Sequence, residues 1–391
     1  MEQRGPTPLE EGVGIAPDQD AEWVHRVRQA LLKWYAHAGR DLPWRRDRDP
    51  YRVLVSELML VQTTVAAVVP YFERFLARFP TVEILAKADE ADVLKMWEGL
   101  GYYRRARQLH SAAQVVIGRH GGVFPDDPEA IRALPGVGRY IAGAVLSFAF
   151  DRPAPILEAN TQRVLARWLA WRGDVKAPAT QARLWEAAER LVPDEQAGAF
   201  NQAFMELGAL ICTPRTPMCL VCPVAADCRA RVLGLQDAVP VVTPRLPPLP
   251  SSEAAALVFR GGKVLILQRG PGRLWENFWE FPTVHVSGAD PAGRVFDDGP
   301  VDLAEGVRRL TGVRVEIGPA LGTLTYGVTR YRVRLEAHEA RGLTDLPTPD
   351  PGVRGAVWEA TENLGDYPFS AAGRRLIGWA VRLSEGGLTG T

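Results

Sequence analysis

Four cysteines, Cys212, Cys219, Cys222 and Cys228, form a C-x6-C-x2-C-x5-C array that is the chain's whole complement of thiols. Four thiolates so close together can converge on one soft metal centre. Zinc and a [4Fe–4S] cluster both accept four thiolates. Zinc sites usually place their ligands in two short pairs, and this array has only one, Cys219 with Cys222. Four incidental buried thiols are the third reading, disfavoured because no cysteine stands elsewhere. A second feature is a carboxylate in apolar company. Glu57 lies in YRVLVSELMLVQTT (51–64), among Val53, Leu54, Val55, Leu58, Met59, Leu60 and Val61. A buried carboxylate is costly unless it is paired or used. Burial also raises its pKa, so that it holds a proton near neutrality as a general acid must. The other reading puts Glu57 on an exposed helix face, and periodicity does not separate the two. A third feature is LPGVGRY (134–140). Gly136 and Gly138 allow a tight turn and leave backbone N–H groups open at a helix N-terminus. That geometry binds a phosphate without basic side chains; a plain helix–helix turn fits it equally well. Downstream, PILEANTQRVLARW (155–168) sets Glu158 and Asn160 at the start of the next helix.

The elements that must position these groups are helical. Residues 1–21 are rich in Gly, Pro and acids without periodicity, the composition of a disordered leader. From Trp23 the apolar residues Val27, Leu31 and Trp34 recur at helical spacing. The stretches 51–79, 90–97, 104–118, 128–134, 139–149, 160–171, 180–191 and 196–211 repeat that pattern between Gly and Pro breakers. Residues 22–238, including the cysteine loop 212–228, therefore read as an all-α domain. PVVTPRLPPLP lies in a Pro-rich linker over 239–251. Beyond it, 252–385 reads as an α+β domain. AAALVF (254–259) and KVLILQR (263–269) flank Arg260-Gly261-Gly262, a hairpin signal. YRVRLEA (331–337) alternates strictly, and 370–383 is an amphipathic closing helix.

Composition sets the outer limits. The 391 residues are 47% hydrophobic and 24% charged, which excludes a wholly disordered chain. Forty-six Lys and Arg balance 46 Asp and Glu, so a basic whole-chain balance does not argue for a nucleic-acid partner. The sum hides a gradient. Residues 1–22 carry six acids and one base, whereas 23–240 carry 28 bases against 23 acids. Only five of the bases are Lys, which leaves few amine nucleophiles. Four cysteines in a chain this long are no disulfide scaffold. No uncharged apolar run reaches the ~18 residues of a membrane span, and no apolar stretch marks a secretory signal. The expected compartment is a reducing cytoplasm.

LPWR (42–45), SELMLVQTT (56–64), VVPYFERFLARFP (68–80), GLGYYRRARQLH (99–110), LPGVG (134–138), FNQAFMELGALIC (200–212) and the cysteine array stand in one order. In that order they resemble the endonuclease III superfamily of DNA glycosylases, and within it the MutY family of adenine glycosylases. The resemblance covers 23–235 densely. GRLWENFWEFP (272–282), after the linker, is similar to that family's Nudix-like C-terminal domain. The resemblance implies a helix–hairpin–helix glycosylase domain with a [4Fe–4S] cluster on Cys212, Cys219, Cys222 and Cys228, followed by a Nudix-like recognition domain. It implies a monomer that works on the nucleoid and removes adenine mispaired with 8-oxoguanine or G in double-stranded DNA. The base is flipped out of the stack to be reached. By resemblance, Glu57 protonates adenine at N7, the carboxylate at 158 stabilises the oxocarbenium sugar, and Asn160 positions the sugar or Glu158. Tyr140 stands where bifunctional relatives have Lys; it forms no Schiff base, which implies a monofunctional glycosylase. Gln62, with Thr63 beside it, and Tyr102 match side chains inserted into the stack, which offset the cost of unstacking. Trp44, Arg45 and Glu206 match the lining of the adenine pocket, and Gly136 and Gly138 match the phosphate-binding hairpin. Arg104, Arg105 and Arg107 form either a phosphate-facing edge or a solvated helix face.

Two departures from the family pattern bear on function. The usual LDGN is replaced by Leu157-Glu158-Ala159-Asn160. The longer side chain moves the carboxylate by about an ångström, and misplacement on that scale can cost ~100-fold; activity is expected, in altered form. The lesion-reading Phe-Ser-His loop aligns with Val328-Thr329-Arg330, and His338 lies further along the strand. Thr329 and Arg330 thus take the lesion-facing place, and Arg330 could hydrogen-bond a guanine edge. In addition, 302–313 reads DLAEGVRRLTGV, without the acidic cluster that would hold the Mg²⁺ of a Nudix hydrolase. Besides an adenine glycosylase, the sequence leaves a same-fold glycosylase of other base specificity and a non-catalytic iron–sulfur DNA-binding module. Glu57 speaks against the last, since a pure binder gains nothing from a carboxyl in an apolar helix.

Overall fold

The structure is a computed structural model that describes residues 17–244, 246–271, 274–291, 301–345 and 353–385. Of the expected leader, residues 1–16 lie outside the described residues, and helix already begins at Pro17. The helices are α1 (Pro17–Ala38), α2 (Pro50–Leu60), α3 (Val65–Arg78), α4 (Val82–Lys87), α5 (Glu90–Trp97), α6 (Arg104–His120), α7 (Pro128–Arg132), α8 (Arg139–Phe150), α9 (Ala159–Trp168), α10 (Pro178–Leu191), α11 (Ala197–Leu210), α12 (Arg229–Val232), α13 (Leu303–Thr311) and α14 (Ala371–Glu385). The strands are β1 (Leu249–Arg260), β2 (Lys263–Arg269), β3 (Trp279–Glu280), β4 (Thr283–Gly288), β5 (Val315–Val328), β6 (Tyr331–Gly342) and β7 (Val353–Ala360). The chain divides into two units, 1–88 with 104–244 and 89–103 with 245–391. Among the described residues, no helix is long and apolar enough to cross a membrane.

The first unit is all helix. The single helical stretch expected over 51–79 is interrupted. Asp49 caps α2, its carboxylate accepting from the Tyr51 N–H at 2.8 Å, with Pro50 at the first helical position. After Val61 the backbone turns left-handed at Gln62 (φ 57°), and Thr64 caps α3 by accepting from the Ala67 N–H. Hydrophobic periodicity continues through this break, so the sequence pattern does not reveal it. The α2 helix packs against α3, α6 and α8, and Val53 to Met59 are all buried. One core of the unit joins Leu31 (α1), Leu165 and Trp168 (α9), Leu184 (α10), and Phe204 and Leu207 (α11). Trp168 and Phe204 stack with ring centroids 5.0 Å apart.

The second unit is built on a seven-stranded mixed sheet of order β3-β2-β1-β6-β5, with β4 on β1 and β7 on β2. Gly261 and Gly262, both at positive φ (55° and 77°), close the β1–β2 hairpin where Arg-Gly-Gly predicts it. Alternate residues of β1 serve different cores. Ala255, Leu257 and Phe259 join the cluster with Leu376 and Ala380 of α14, while Ala256 and Val258 join Val307 of α13. Burial on both faces explains why β1 reads as a nearly continuous apolar run. The unit also takes in 89–103, which the sequence pattern assigns to the helical domain over 22–238. Here the Tyr103 ring lies 4.2 Å from Phe278, and the Arg374 guanidinium grips Glu98 while donating to the Tyr367 carbonyl at 2.7 Å. Strand β1 starts at Leu249, so the last residues of the expected linker are paired, and 241–244 group with the first unit.

Candidate active site

A cavity of about 400 Å³ opens in the first unit. It brings together Trp44, Arg45, Glu57, Gln62, Thr63, Tyr140, Glu158, Asn160 and Glu206, nine of the residues singled out from sequence. Glu57 reaches it from α2 and is 2% exposed. Val53 to Met59 are buried on every face of α2, so Glu57 has no solvated side, and this decides between the two sequence readings. Burial pushes the Glu57 carboxyl up to about 7; the Tyr140 hydroxyl pulls the other way, the charge of Glu158 adds to the rise, and Arg45 opposes it. Tyr140, on the first turn of α8, donates to Glu57 Oε2 at 2.6 Å. Its own pKa is raised well above the ordinary value by burial and by the nearby Glu57 and Glu158 carboxylates, so the phenol remains a neutral donor.

Glu158 is the N-cap of α9. Its carboxylate accepts from the backbone N–H of Asn160 (2.8 Å) and Thr161 (2.9 Å) and from Asn160 Nδ2 (3.2 Å). Thr161 Oγ1 accepts from the Glu158 N–H at 2.8 Å, completing a capping box. Burial raises this carboxyl too, against the amides of Asn160 and Thr161 and the charge of Arg163. Both carboxylates are thus shifted upward. The asymmetry between them lies in their donors: one phenol on Glu57, and two amides, an Asn side chain and a helix N-terminus on Glu158. Asn160 is held in turn by Arg163 Nη2, which donates to Asn160 Oδ1 at 2.9 Å.

Glu206, from α11, is fully buried and accepts from Arg40 Nε (2.6 Å), Arg40 Nη2 (2.8 Å), the Arg40 N–H (3.1 Å) and Arg45 Nη2 (3.0 Å). Burial alone would raise its pKa, but the hydrogen bonds of Arg40 and the charge of Arg45 hold it at about 2. The wall therefore carries one anion between two cations. Trp44, from the 3-10 turn Pro43–Arg45, is 6% exposed and meets Phe72 edge-on at 5.4 Å. Sequence reading missed Arg40, because a lone Arg before LPWR carries no signal of burial partners.

The remaining sequence-predicted residues lie outside this cavity. Gly136 (φ 80°) turns the α7–α8 hairpin where an added Cβ would fall 2.7 Å from Gln108 Cβ, so it is glycine for both strain and space. Gly138 caps α8, with open space at its Cβ position. Tyr102 is 51% exposed in the second unit at φ 49°. Thr329 (φ 50°) and Arg330 form the exposed tip of the β5–β6 hairpin, Arg330 resting over the Tyr331 ring at 5.4 Å. Of Arg104, Arg105 and Arg107, Arg105 fits neither the phosphate-facing nor the solvated reading: it is 6% exposed and donates inward to α2 carbonyls, whereas Arg104 is exposed. On α13, Glu305 is bound to Arg308 (2.6 Å) and Arg309 (2.7 Å).

The four cysteines line one small cavity, Cys212 and Cys228 buried, Cys219 and Cys222 half-buried. Among the described residues, no group of three or more His, Cys, Asp or Glu is drawn close enough to hold a metal ion. Burial pushes the Cys222 thiol up to about 12, and the other three thiols add to the rise. Arg167, 2% exposed, donates from Nη1 to Cys212 Sγ (3.2 Å) and to the Thr213 carbonyl (2.7 Å). Arg163 donates from Nε to the Cys212 carbonyl (2.8 Å). The cysteine loop is thereby tied to α9, whose N-cap is Glu158. Neither arginine is marked in the sequence, where both pass for ordinary helix cations.

Residues 55–190 match the model of the HhH-GPD superfamily of base excision DNA repair proteins, and 254–379 match that of the NUDIX domain. The chain is 32% identical to the adenine DNA glycosylase of Homo sapiens, over 95% of this chain and 76% of the relative. It is 40% identical to the adenine DNA glycosylase of Mus musculus, over 87% and 75%. Among solved structures, a thermostable thymine-DNA glycosylase superposes with a TM-score of 0.50 at 33% identity, covering 54% of this chain and 98% of that one.

Proposed function

The chain belongs to the adenine DNA glycosylases of base excision repair, and we propose that it hydrolyses adenine from duplex DNA where the base is paired with 8-oxoguanine or G, without strand cleavage. The observation that carries this reading is the buried Glu57 carboxyl, held at about 7 beside the Glu158 carboxylate in one cavity. With adenine flipped into that cavity, Glu57 delivers a proton to N7. The C1′–N9 bond breaks, its electron pair passing to the protonated base, and the sugar acquires oxocarbenium character. Glu158, held by the α9 amides, places negative charge beside that cation. Water adds to C1′ and gives its proton to a carboxylate, which restores the acid. Tyr140 offers a phenol to Glu57 where a lysine would offer an amine, so no Schiff base forms and the chemistry ends at the abasic site.

Gln62 and Thr63 at the cavity rim, Tyr102, and the Gly136–Gly138 hairpin make the duplex contacts in this reading, and Thr329 and Arg330 read the base opposite adenine. The sulfur-only donor set of Cys212, Cys219, Cys222 and Cys228 suits a [4Fe–4S] cluster, which would tie the 212–228 loop to α9 as a structural clasp. The test is direct. Duplexes with A opposite 8-oxoguanine, A opposite G and T opposite G are incubated with the enzyme and treated with alkali. Breaks at A, only after alkali, are expected; no break at the A strand overturns the reading, and breaks at T shift it to another base. Iron and sulfide in near-equal amounts with a visible charge-transfer band support the cluster; zinc in their place removes it.

A further inference from the structure

The last carbonyls of a helix have no amide of their own helix to bond, and at the end of α2 the chain leaves at Val61 and turns left-handed at Gln62 (φ 57°). One of these carbonyls is closed locally, Leu60 accepting from the Thr63 N–H at 3.1 Å. Three others, of Leu58, Met59 and Val61, accept from one atom, Arg105 Nη1, at 2.7, 2.9 and 2.5 Å. Arg105 Nη2 reaches Thr63 Oγ1 at 3.3 Å. The guanidinium comes from the first turn of α6 and is 6% exposed. A cation at a helix C-terminus complements the helix dipole. The two hydrogens of Nη1 are shared among the three carbonyls while Nη2 takes the Thr63 hydroxyl. A lysine, one bond shorter and with a single nitrogen, cannot reach both places at once. A left-handed conformation is sterically unfavourable for a residue with a Cβ, so the turn at Gln62 needs such an external hold. Gln62 itself is exposed at the cavity rim.

We infer that Arg105 is a positioning residue for duplex opening: by clamping the end of α2 it sets the 61–63 turn and presents Gln62 to the DNA, without touching the substrate. The inference rests on the reading of Gln62 as an inserted side chain. The same clamp keeps the last turn of α2 wound directly after Glu57.

The full-length protein is compared with Arg105→Gln, Arg105→Lys, Gln62→Ala and the Arg105→Gln/Gln62→Ala double variant. Opening is read by the fluorescence gain of 2-aminopurine at the adenine position of a duplex, folding by the melting temperature, and excision separately. Each single variant is expected to lower opening by about 10-fold, as small misplacements do, and the double variant by no more than either single one. Arg105→Lys should remain folded, with a melting temperature near that of the parent, yet open the duplex as poorly as Arg105→Gln. Losses that multiply in the double variant, an undiminished signal in Arg105→Gln, rescue by Arg105→Lys, or an undiminished signal in Gln62→Ala overturn the inference. A protein that opens duplexes through Arg105 but excises no adenine sinks the catalytic reading and leaves this one standing.

Discussion

At about 7, the Glu57 carboxyl keeps a proton that an exposed glutamate would have lost near 4.5, and burial is the main cause. The native state therefore binds more protons than the unfolded chain between about pH 4.5 and 7, and stability falls as pH rises through that window. The cost above pH 7 is up to about 3 kcal/mol, from 1.36 kcal/mol per unit. Glu57→Gln should thus abolish excision, a loss of ~10²–10⁴ for a missing general acid, and yet melt higher than the parent at pH 8, with little difference at pH 4.5. Equal melting at both pH values would show that Glu57 is not held protonated by the fold. The rate should fall as pH rises through about 7, where Glu57 loses its proton, and fall again on the acid side, where Glu158 gains one. In Tyr140→Phe, which removes the donor that lowers the Glu57 pKa, the alkaline limb should move to higher pH. Glu158 needs a finer test because it is also a cap. Glu158→Ala loses both charge and cap, worth ~1 kcal/mol, whereas Glu158→Gln keeps an acceptor for the α9 amides. Single-turnover excision lost in both, with stability lost mainly in Glu158→Ala, is the expected pattern; full activity in Glu158→Gln would reduce residue 158 to a cap. Sequence marked both carboxylates but could not choose between burial and exposure for Glu57. That choice depends on α6 and α8 covering α2, which is long-range information. Arg40, Arg163 and Arg167 escaped notice for the same reason.

At the scale of elements, β1, β2 and β6 and the hairpin closed by Gly261 and Gly262 were legible because their signals are local: apolar runs flanking a turn that requires positive φ and, in β6, period-two alternation. Strands β3, β4, β5 and β7 were not read from the sequence. The α2–α3 break was not, since apolar spacing runs through it and its determinants are the Thr64 cap and the Arg105 clamp. Nor was the grouping of 89–103 with the second unit, which rests on Glu98 with Arg374 and Tyr103 with Phe278, pairs far apart in sequence. Helix contact also fixes the site. An added Cβ at Gly208 of α11 would fall 2.7 Å from Asn160 Cβ and 3.2 Å from its carbonyl oxygen, at the start of α9. Gly208 is thus the residue that lets α11 approach the Glu158 cap, and its carbonyl accepts from Arg163 Nη2 at 2.8 Å. Gly208→Ala should lower stability by about 1–3 kcal/mol, as overpacking does, and slow single-turnover excision at a temperature where the variant is fully folded. A variant destabilised to that extent with an unchanged rate would show that α9 absorbs the displacement without moving Glu158 or Asn160.

For the molecule as a whole, neutrality constrains how DNA is bound. The excess of bases in 23–240 overstates the cations available to phosphates. Arg105, Arg163 and Arg167 are buried donors to carbonyls, an Asn side chain and a thiol, and Arg40 and Arg45 are committed to Glu206. Sequence could count these charges but not see that several face inward, so the true surface is less basic than the sum. The duplex contacts proposed above rely on amides at the α8 N-terminus and on inserted side chains, neither of which displaces condensed counterions as Lys and Arg do. With a slope of about −0.9 per neutralised phosphate, the logarithm of the nonspecific duplex association constant should fall against the logarithm of salt with a slope shallower than about −4. Fluorescence anisotropy with an undamaged duplex across a salt series measures it. A slope of about −6 or steeper would mean that exposed arginines, such as Arg104 or Arg330, carry most of the binding. The slope should also hardly change in Arg105→Gln, because a buried guanidinium that donates inward to carbonyls and a hydroxyl releases no ions from DNA; a shallower slope in that variant would place Arg105 on a phosphate after all.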